Sequence, residues 1–111
     1  MKRGEIYFAD LDPTIGAETQ KKRPVLIVSN NANNNAADTV TIVPITSNIK
    51  RIYPFEVLLK CNKTGLTKDS KAQCHQIRTI SKLRISKSIP IGIVGGDAMM
   101  KVSEALMLHL D

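Results

Sequence analysis

The chain has 111 residues, 42% of them apolar, with a formal net charge of +6 and a pI near 9.6. This length predicts a single domain over residues 1–111, and the apolar fraction suffices to bury a core without disulfides or metal. The sequence has no apolar run of about 18 residues and no signal-peptide pattern at its start, so we expect a cytoplasmic protein without a membrane span.

The positive charge is concentrated in the middle of the chain. Residues 50–87 hold ten basic and two acidic residues, a net +8, whereas residues 1–49 are neutral and residues 88–111 carry −2. A basic segment between such flanks is typical of a surface that binds a polyanion. A solvated lysine face that only aids solubility is the alternative, and charge alone barely separates the two.

Short apolar runs predict a series of strands followed by one helix. In chain order, strands are expected at residues 4–9, 23–29, 39–45, 53–59, 70–80 and 89–94, with a helical turn within 80–85. The Asn-rich residues 30–38 predict a loop, and Pro44 is expected at a sheet edge or bulge. Because this spacing leaves no room for βαβ crossovers, we predict a mainly β fold: a small, curled antiparallel sheet or barrel with a C-terminal α-helix packed on it.

The helix is expected to begin near Asp97, which can cap it or favour the positive end of its dipole. Its buried face is predicted from apolar residues at helical spacing, which are Met99, Val102, Leu106 and Leu110. The polar segment between the first two strands predicts a long loop of the kind that often carries function.

The sequence offers little for metal or cofactor chemistry. It contains no phosphate-binding glycine loop, serine-nucleophile motif or zinc-protease motif, and Cys61 and Cys74 lack metal-type spacing. We therefore predict no metal site, no cofactor and two reduced thiols.

His75, Gln76 and Arg78 are candidates within the polar strand predicted at residues 70–80. On one strand Gln76 and Arg78 would point the same way, where a guanidinium suits phosphate and an amide suits base edges. An edge strand with one solvated face explains the pair equally well. Of the two histidines, His75 is the better placed for proton transfer, whereas His109, near the helix end, is expected to cap the helix or be solvated.

Arg23 begins a buried strand, and Thr46 and Ser47 follow another. The ordinary alternatives are a charge at a strand end and a hydroxyl in a turn. Taken together, a guanidinium, hydroxyls and a basic surface meet the needs of metal-free RNA cleavage. The nucleophile is then the 2′-OH of the substrate, so the protein only moves protons and stabilises charge on the phosphorane. DNA lacks the 2′-OH and would be inert.

Several segments, in order along the chain, resemble the MazF/PemK toxins, the endoribonucleases of bacterial type II toxin–antitoxin modules. They are RGEIYFADLDPTxG (3–16), KKRPVLIVSN (21–30), PITSN (44–48), RIYPFEV (51–57) and QIRTI (76–80), with MMxxVxEAL (99–106) in the helix. The resemblance implies an SH3-like β-barrel with a C-terminal helix, working as a homodimer. It implies sequence-specific, metal-independent cleavage of single-stranded RNA, mostly mRNA, to leave 2′,3′-cyclic phosphate and 5′-OH ends.

The resemblance also implies partners and residue roles. An antitoxin with an acidic, disordered C-terminal tail would cover the RNA groove, and operator DNA would be contacted only through that antitoxin. Arg23 matches the arginine that transfers protons and stabilises charge, and Thr46 matches the hydroxyl that holds the scissile phosphate. The positions that line the RNA groove are matched by Ser47, Gln76 and Arg78. The loop over residues 12–22, which includes Glu18, matches the loop that closes over RNA.

We favour charge stabilisation as the role of Arg23, because an arginine side chain has a pKa above about 12 and does not readily give up its proton. His75, at the RNA surface, could share in proton transfer. One branch of the family has Arg, Asp and His at the positions of Gln73, His75 and Ala17, so the arrangement built on Arg23 and Thr46 fits this chain better. Two alternatives stay open: a CcdB-like barrel that poisons DNA gyrase without catalysis, and a barrel that binds RNA but leaves it intact.

Overall fold

The computed structural model describes residues 1–12, 15–18 and 22–111. Its strands are Glu5–Asp10 (β1), Lys22–Ile27 (β2), Thr39–Thr46 (β3), Glu56–Leu59 (β4), Ser70–Gln73 (β5), Arg78–Ser81 (β6) and Gly92–Ile93 (β7). Its α-helices are Asn31–Ala36 (α1), Cys61–Thr64 (α2) and Gly96–Leu110 (α3), and its 3-10 helices are Cys74–Gln76 and Lys82–Arg84.

The strands form one curled sheet in which every pairing is antiparallel, as the sequence predicts. The order is β4-β5-β3-β2-β1-β7, and β6 pairs with β3 outside this path. Strand β3 bends the sheet because its first half pairs with β6, ending at Ile42 opposite Arg78, and its last residues pair with β5, beginning at Ile45 opposite Ala72. Pro44 lies in this central strand at the break between β6 and β5, where a residue without an N–H costs least.

Both faces of the central strands are buried, which explains their continuous apolar runs. One face packs against α3 through Val102 and Ala105, with Ile6, Leu26 and Val43 beneath them. The opposite face forms a second core from alternate residues of the same strands, including Tyr7, Val25, Ile27 and Ile42. We call the first face the helix-side core.

The prediction of one continuous strand over residues 70–80 is wrong. The chain forms β5, then the 3-10 helix Cys74–Gln76, then β6, since it moves from one half of β3 to the other. Cys74 turns into the helix-side core at this step. Gln76 and Arg78 therefore do not alternate along one strand, contrary to prediction.

Other boundaries also differ from the prediction. The Asn-rich loop contains helix α1, because the Asn30 side chain accepts a hydrogen bond from the Asn33 N–H at 2.8 Å and caps it. Strand β4 begins at Glu56, after a turn in which the Glu56 N–H donates to the Tyr53 carbonyl at 2.9 Å. The last strand, β7, is only two residues long.

Helix α3 begins near the predicted position but without a side-chain cap. Gly95 is its N-cap, and Asp97 lies in the first turn, where its charge favours the helix dipole. Val102 is buried as predicted, whereas Leu110, the last residue of the helix, is 69% exposed, contrary to prediction. In the described part of the chain, no helix is long and apolar enough to cross a membrane. Cys61 and Cys74 are free thiols, as predicted.

Candidate functional site

A surface cavity of about 380 Å³ lies beside Phe8 of β1, at the start of β2 and the end of β3. We call it the Arg23 cavity; its lining residues include Phe8, Arg23, Ile45, Thr46, Ser47 and Lys68. The structure thus brings together three residues that the sequence singled out, Arg23, Thr46 and Ser47. Lys68 adds a cation from the basic segment.

The sheet register positions these side chains. Arg23 is the second residue of β2 and pairs with Ala9 of β1, so its backbone is held in the sheet. Thr46 ends β3, and its Oγ1 accepts a hydrogen bond from the Asn48 N–H at 3.3 Å, the turn contact that such hydroxyls commonly make. A hydroxyl that accepts in this way still has its O–H to donate, which suits an anionic ligand.

A second cavity, of about 230 Å³, holds the other predicted residues. We call it the Gln76 cavity; it is lined by Glu18, Pro44, His75, Gln76, Ile77 and Arg78. Since Pro44 lines this cavity and the next two residues of β3 line the Arg23 cavity, β3 runs between the two. The predicted site is therefore one surface with two compartments.

Gln76 and Arg78 also hold the loop between β1 and β2. The Gln76 amide Nε2 donates to the Ala17 carbonyl at 3.5 Å, and Arg78 Nη1 donates to the Leu11 carbonyl at 3.3 Å. Within the loop, Glu18 Oε1 accepts from the Ile15 N–H at 3.0 Å. Pro13, Thr14, Thr19, Gln20 and Lys21, which belong to the predicted loop, lie outside the described residues.

Arg84 is a residue of this region that the sequence analysis missed. Its Nη1 donates to the Asp10 carbonyl at 3.2 Å and to the Asp12 carbonyl at 2.6 Å, at the base of the same loop. Both partners are backbone atoms more than 70 positions away, so no spacing in the sequence signals the contact.

His75 is held among rings. Its ring centroid lies 4.5 Å from that of Phe55, edge-on, and 6.5 Å from that of His109. Its Nδ1 is buried and has no hydrogen-bond partner among the described residues. Burial lowers the pKa of His75; nearby His109 and Lys71 lower it further, and Glu56 opposes them. The net effect favours the neutral imidazole over its protonated form.

One member of the basic segment is not at the surface. Lys71 is buried, and its Nζ donates to Glu56 Oε1 at 3.0 Å and to the Arg51 carbonyl at 2.7 Å. Lys71 therefore belongs to the core rather than to a polyanion-binding face. Among the described residues, no group of three or more His, Cys, Asp and Glu is arranged to hold a metal ion.

Comparison with known proteins identifies the class. Residues 2–110 match the family of PemK-like, MazF-like toxins of type II toxin–antitoxin systems, and the chain belongs to that family. It is 47% identical over 116 residues to endoribonuclease MazF9 of Mycobacterium tuberculosis (strain ATCC 25618 / H37Rv), which covers all of this chain and 97% of the relative. It is 37% identical over 111 residues to endoribonuclease EndoA of Bacillus subtilis (strain 168), with 99% and 94% covered.

A solved structure with the same fold is an endoribonuclease in complex with its cognate antitoxin from a mycobacterial species. It superposes with a TM-score of 0.77 at 28% identity, over 99% of this chain and 94% of that chain. Toxins of this fold therefore include one that binds a cognate antitoxin.

Proposed function

We propose that this protein is an endoribonuclease toxin that cleaves single-stranded RNA, chiefly mRNA, at specific sequences and without a metal ion. The observation that carries the proposal is the Arg23 cavity, which gathers the guanidinium of Arg23, the ammonium group of Lys68 and several hydroxyls, including that of Thr46. Membership in the toxin family and relatives named as endoribonucleases support it.

In the proposed reaction the substrate supplies the nucleophile. Its 2′-oxygen forms a bond to the neighbouring phosphorus and loses its proton, while the bond from phosphorus to the 5′-oxygen breaks and that oxygen takes up a proton. The products are a 2′,3′-cyclic phosphate and a 5′-OH, with no net proton consumed. Arg23 stabilises the extra negative charge on the phosphorane, and the Thr46 hydroxyl donates to a phosphate oxygen.

The Gln76 cavity is the proposed place of sequence selection. Glu18 and Gln76 offer a carboxylate and an amide for base edges, and Arg78 offers a fork of donors. We assign His75 to substrate binding rather than to proton transfer, because it lines this cavity and not the one that holds Arg23 and Thr46.

The same proposal includes a homodimer, a cytoplasmic location and control by an antitoxin. Exposed apolar residues of α3 support self-association; they are Met100, Met107, Leu108 and Leu110. The exposed cations near the Arg23 cavity suit an antitoxin tail of acidic residues, which would exclude RNA. We propose that operator DNA is contacted only through that antitoxin.

The test is to incubate the pure protein with single-stranded RNA in excess EDTA and to map the fragment ends. We expect cleavage at defined sequences with 5′-OH and cyclic phosphate ends, and no cleavage of an all-DNA strand. Full dependence on Mg²⁺, cleavage of the DNA strand, or binding of RNA without cleavage would each contradict the proposal.

A further inference from the structure

Phe8 separates the Arg23 cavity from a larger one on its other side. Phe8 lines the Arg23 cavity and also a cavity of about 680 Å³. We call the latter the Ile89 cavity; it is lined by Phe8, Lys22, Ser86, Lys87, Ile89 and Ile91, among others. Because Phe8 lines both cavities, they are neighbours on the protein surface, on either side of its ring.

The position of Phe8 in β1 explains why its ring is at the surface. Tyr7 and Ala9 point into the second core and are buried, whereas Phe8 is 44% exposed. Phe8 lies on the same face of β1 as Ile6, and Ile6 belongs to the helix-side core that α3 helps to cover. Phe8 lies farther along the strand, opposite Pro24, and is outside that core. A large aromatic ring is thus left uncovered beside the proposed catalytic group.

The surroundings of the ring differ on its two sides. Toward Arg23 the surface is cationic and carries hydroxyls, which suits a phosphate. On the other side Ile89 is 73% exposed and Ile91 36% exposed, so Phe8 continues into an apolar patch. Lys22 and Lys87 line the same cavity and add positive charge to it. An apolar pocket with an aromatic wall and two ammonium groups matches a nucleotide, which combines a flat base with an anionic phosphate.

We propose that Phe8 and the Ile89 cavity form a subsite for the nucleotide next to the scissile phosphate. The base stacks on the Phe8 ring and lies against Ile89 and Ile91, and its phosphate interacts with Lys22 and Lys87. Stacking on an aromatic side chain accepts any base, so this subsite contributes affinity and alignment more than sequence choice. The inference rests on the proposed RNA cleavage and adds a binding position to it.

The experiment combines protein variants with RNA substrates in which one nucleotide at a time is abasic. Phe8→Leu removes the ring and keeps an apolar side chain, Phe8→Tyr restores a ring, and Leu83→Ala is a control at a fully exposed apolar residue outside both cavities. Wild type, Phe8→Tyr and Leu83→Ala should each lose about tenfold in kcat/KM when one particular nucleotide beside the cleavage site is abasic. Phe8→Leu should lose about tenfold on intact RNA and nothing further on that abasic RNA.

Several outcomes would overturn the subsite. Cleavage of intact RNA by Phe8→Leu at the wild-type rate would be one such outcome. Another would be a loss of the same factor relative to wild type on every substrate, the abasic RNA included, which indicates a general distortion. A Phe8→Leu effect on inhibition by an acidic peptide, with RNA cleavage unchanged, would make the cavity a peptide site instead. If the wild-type protein cleaves no RNA, the proposed function fails together with the subsite. If the wild-type protein cleaves RNA and one of the outcomes above is observed, the subsite alone fails. Thermal unfolding of Phe8→Leu should stay close to wild type, since the ring is already half exposed.

Discussion

Lys71 and Glu56 form an ion pair inside the protein, with 3.0 Å between Nζ and Oε1 and side chains only 11% and 2% exposed. The pair also fixes the turn before β4. Glu56 Oε1 accepts from the Tyr53 N–H at 3.0 Å, and Lys71 Nζ donates to the Arg51 carbonyl. A buried charge left without its partner is costly, so this pair connects the basic segment to the stability of the fold rather than to ligand binding.

We predict that Lys71→Met and Glu56→Leu each lower the free energy of unfolding by about 3–5 kcal/mol, because each leaves one buried charge unpaired. The double variant should recover a large part of this loss. Urea unfolding of the four proteins in a double-mutant cycle measures the coupling, and Glu104→Gln, at an exposed position, is the control. Strictly additive losses would show that the two charges do not depend on each other.

The Thr46 hydroxyl can be tested with two substitutions. Thr46→Val keeps the shape of the side chain and removes the hydroxyl, so we expect kcat to fall about 10- to 100-fold, the value of a hydrogen bond to a charged group. Thr46→Ser should retain most of the activity. Single-turnover cleavage of RNA gives both rates. Equal rates for Thr46→Val and wild type would remove Thr46 from the phosphate contact.

Arg23 should be less tolerant than Thr46. We predict that Arg23→Ala lowers kcat at least about 100-fold, the usual effect of removing a donor that stabilises transition-state charge. Arg23→Lys keeps the charge but not the planar fork, so it should be intermediate. The pH–rate profile distinguishes the roles: if Arg23 acts by charge, the profile of Arg23→Lys keeps the shape of the wild-type profile. An unimpaired Arg23→Ala protein would place the reaction elsewhere.

The sequence predicts those parts of the fold and site that depend on residues close to one another along the chain. The apolar runs of β2 and β3 predict strands whose ends carry Arg23 and Thr46, and the structure places both residues in one cavity. Residues 70–80 are misread as one strand because the break between β5 and β6 is set by pairing with β3, a partner distant in sequence. Lys71 is misread as a surface charge for the same reason, since Glu56 is 15 positions away.

Arg84 is predicted to position the loop between β1 and β2. Arg84→Ala removes the donor to the Asp10 and Asp12 carbonyls, so the base of the loop should open more often. Hydrogen exchange in a peptide covering residues 5–12 should become faster, and KM for RNA should rise several-fold while kcat changes less. Arg84→Lys should restore part of the protection, and Lys63→Ala, at an exposed position away from the loop, is the control. Unchanged exchange in Arg84→Ala would contradict this role.

His75 should make stability depend on pH in the acidic range. Because burial lowers its pKa in the folded protein, the unfolded chain binds the proton more readily and protonation favours unfolding. The free energy of unfolding should therefore fall as the pH drops below about 6.5, the ordinary histidine pKa, and level off once the folded pKa is passed. His75→Phe, which keeps a ring against Phe55, should flatten this part of the curve, whereas His109→Gln should leave most of the slope. The measurement is urea unfolding between pH 5 and 8, and a His75→Phe curve as steep as that of wild type would assign the slope to other groups.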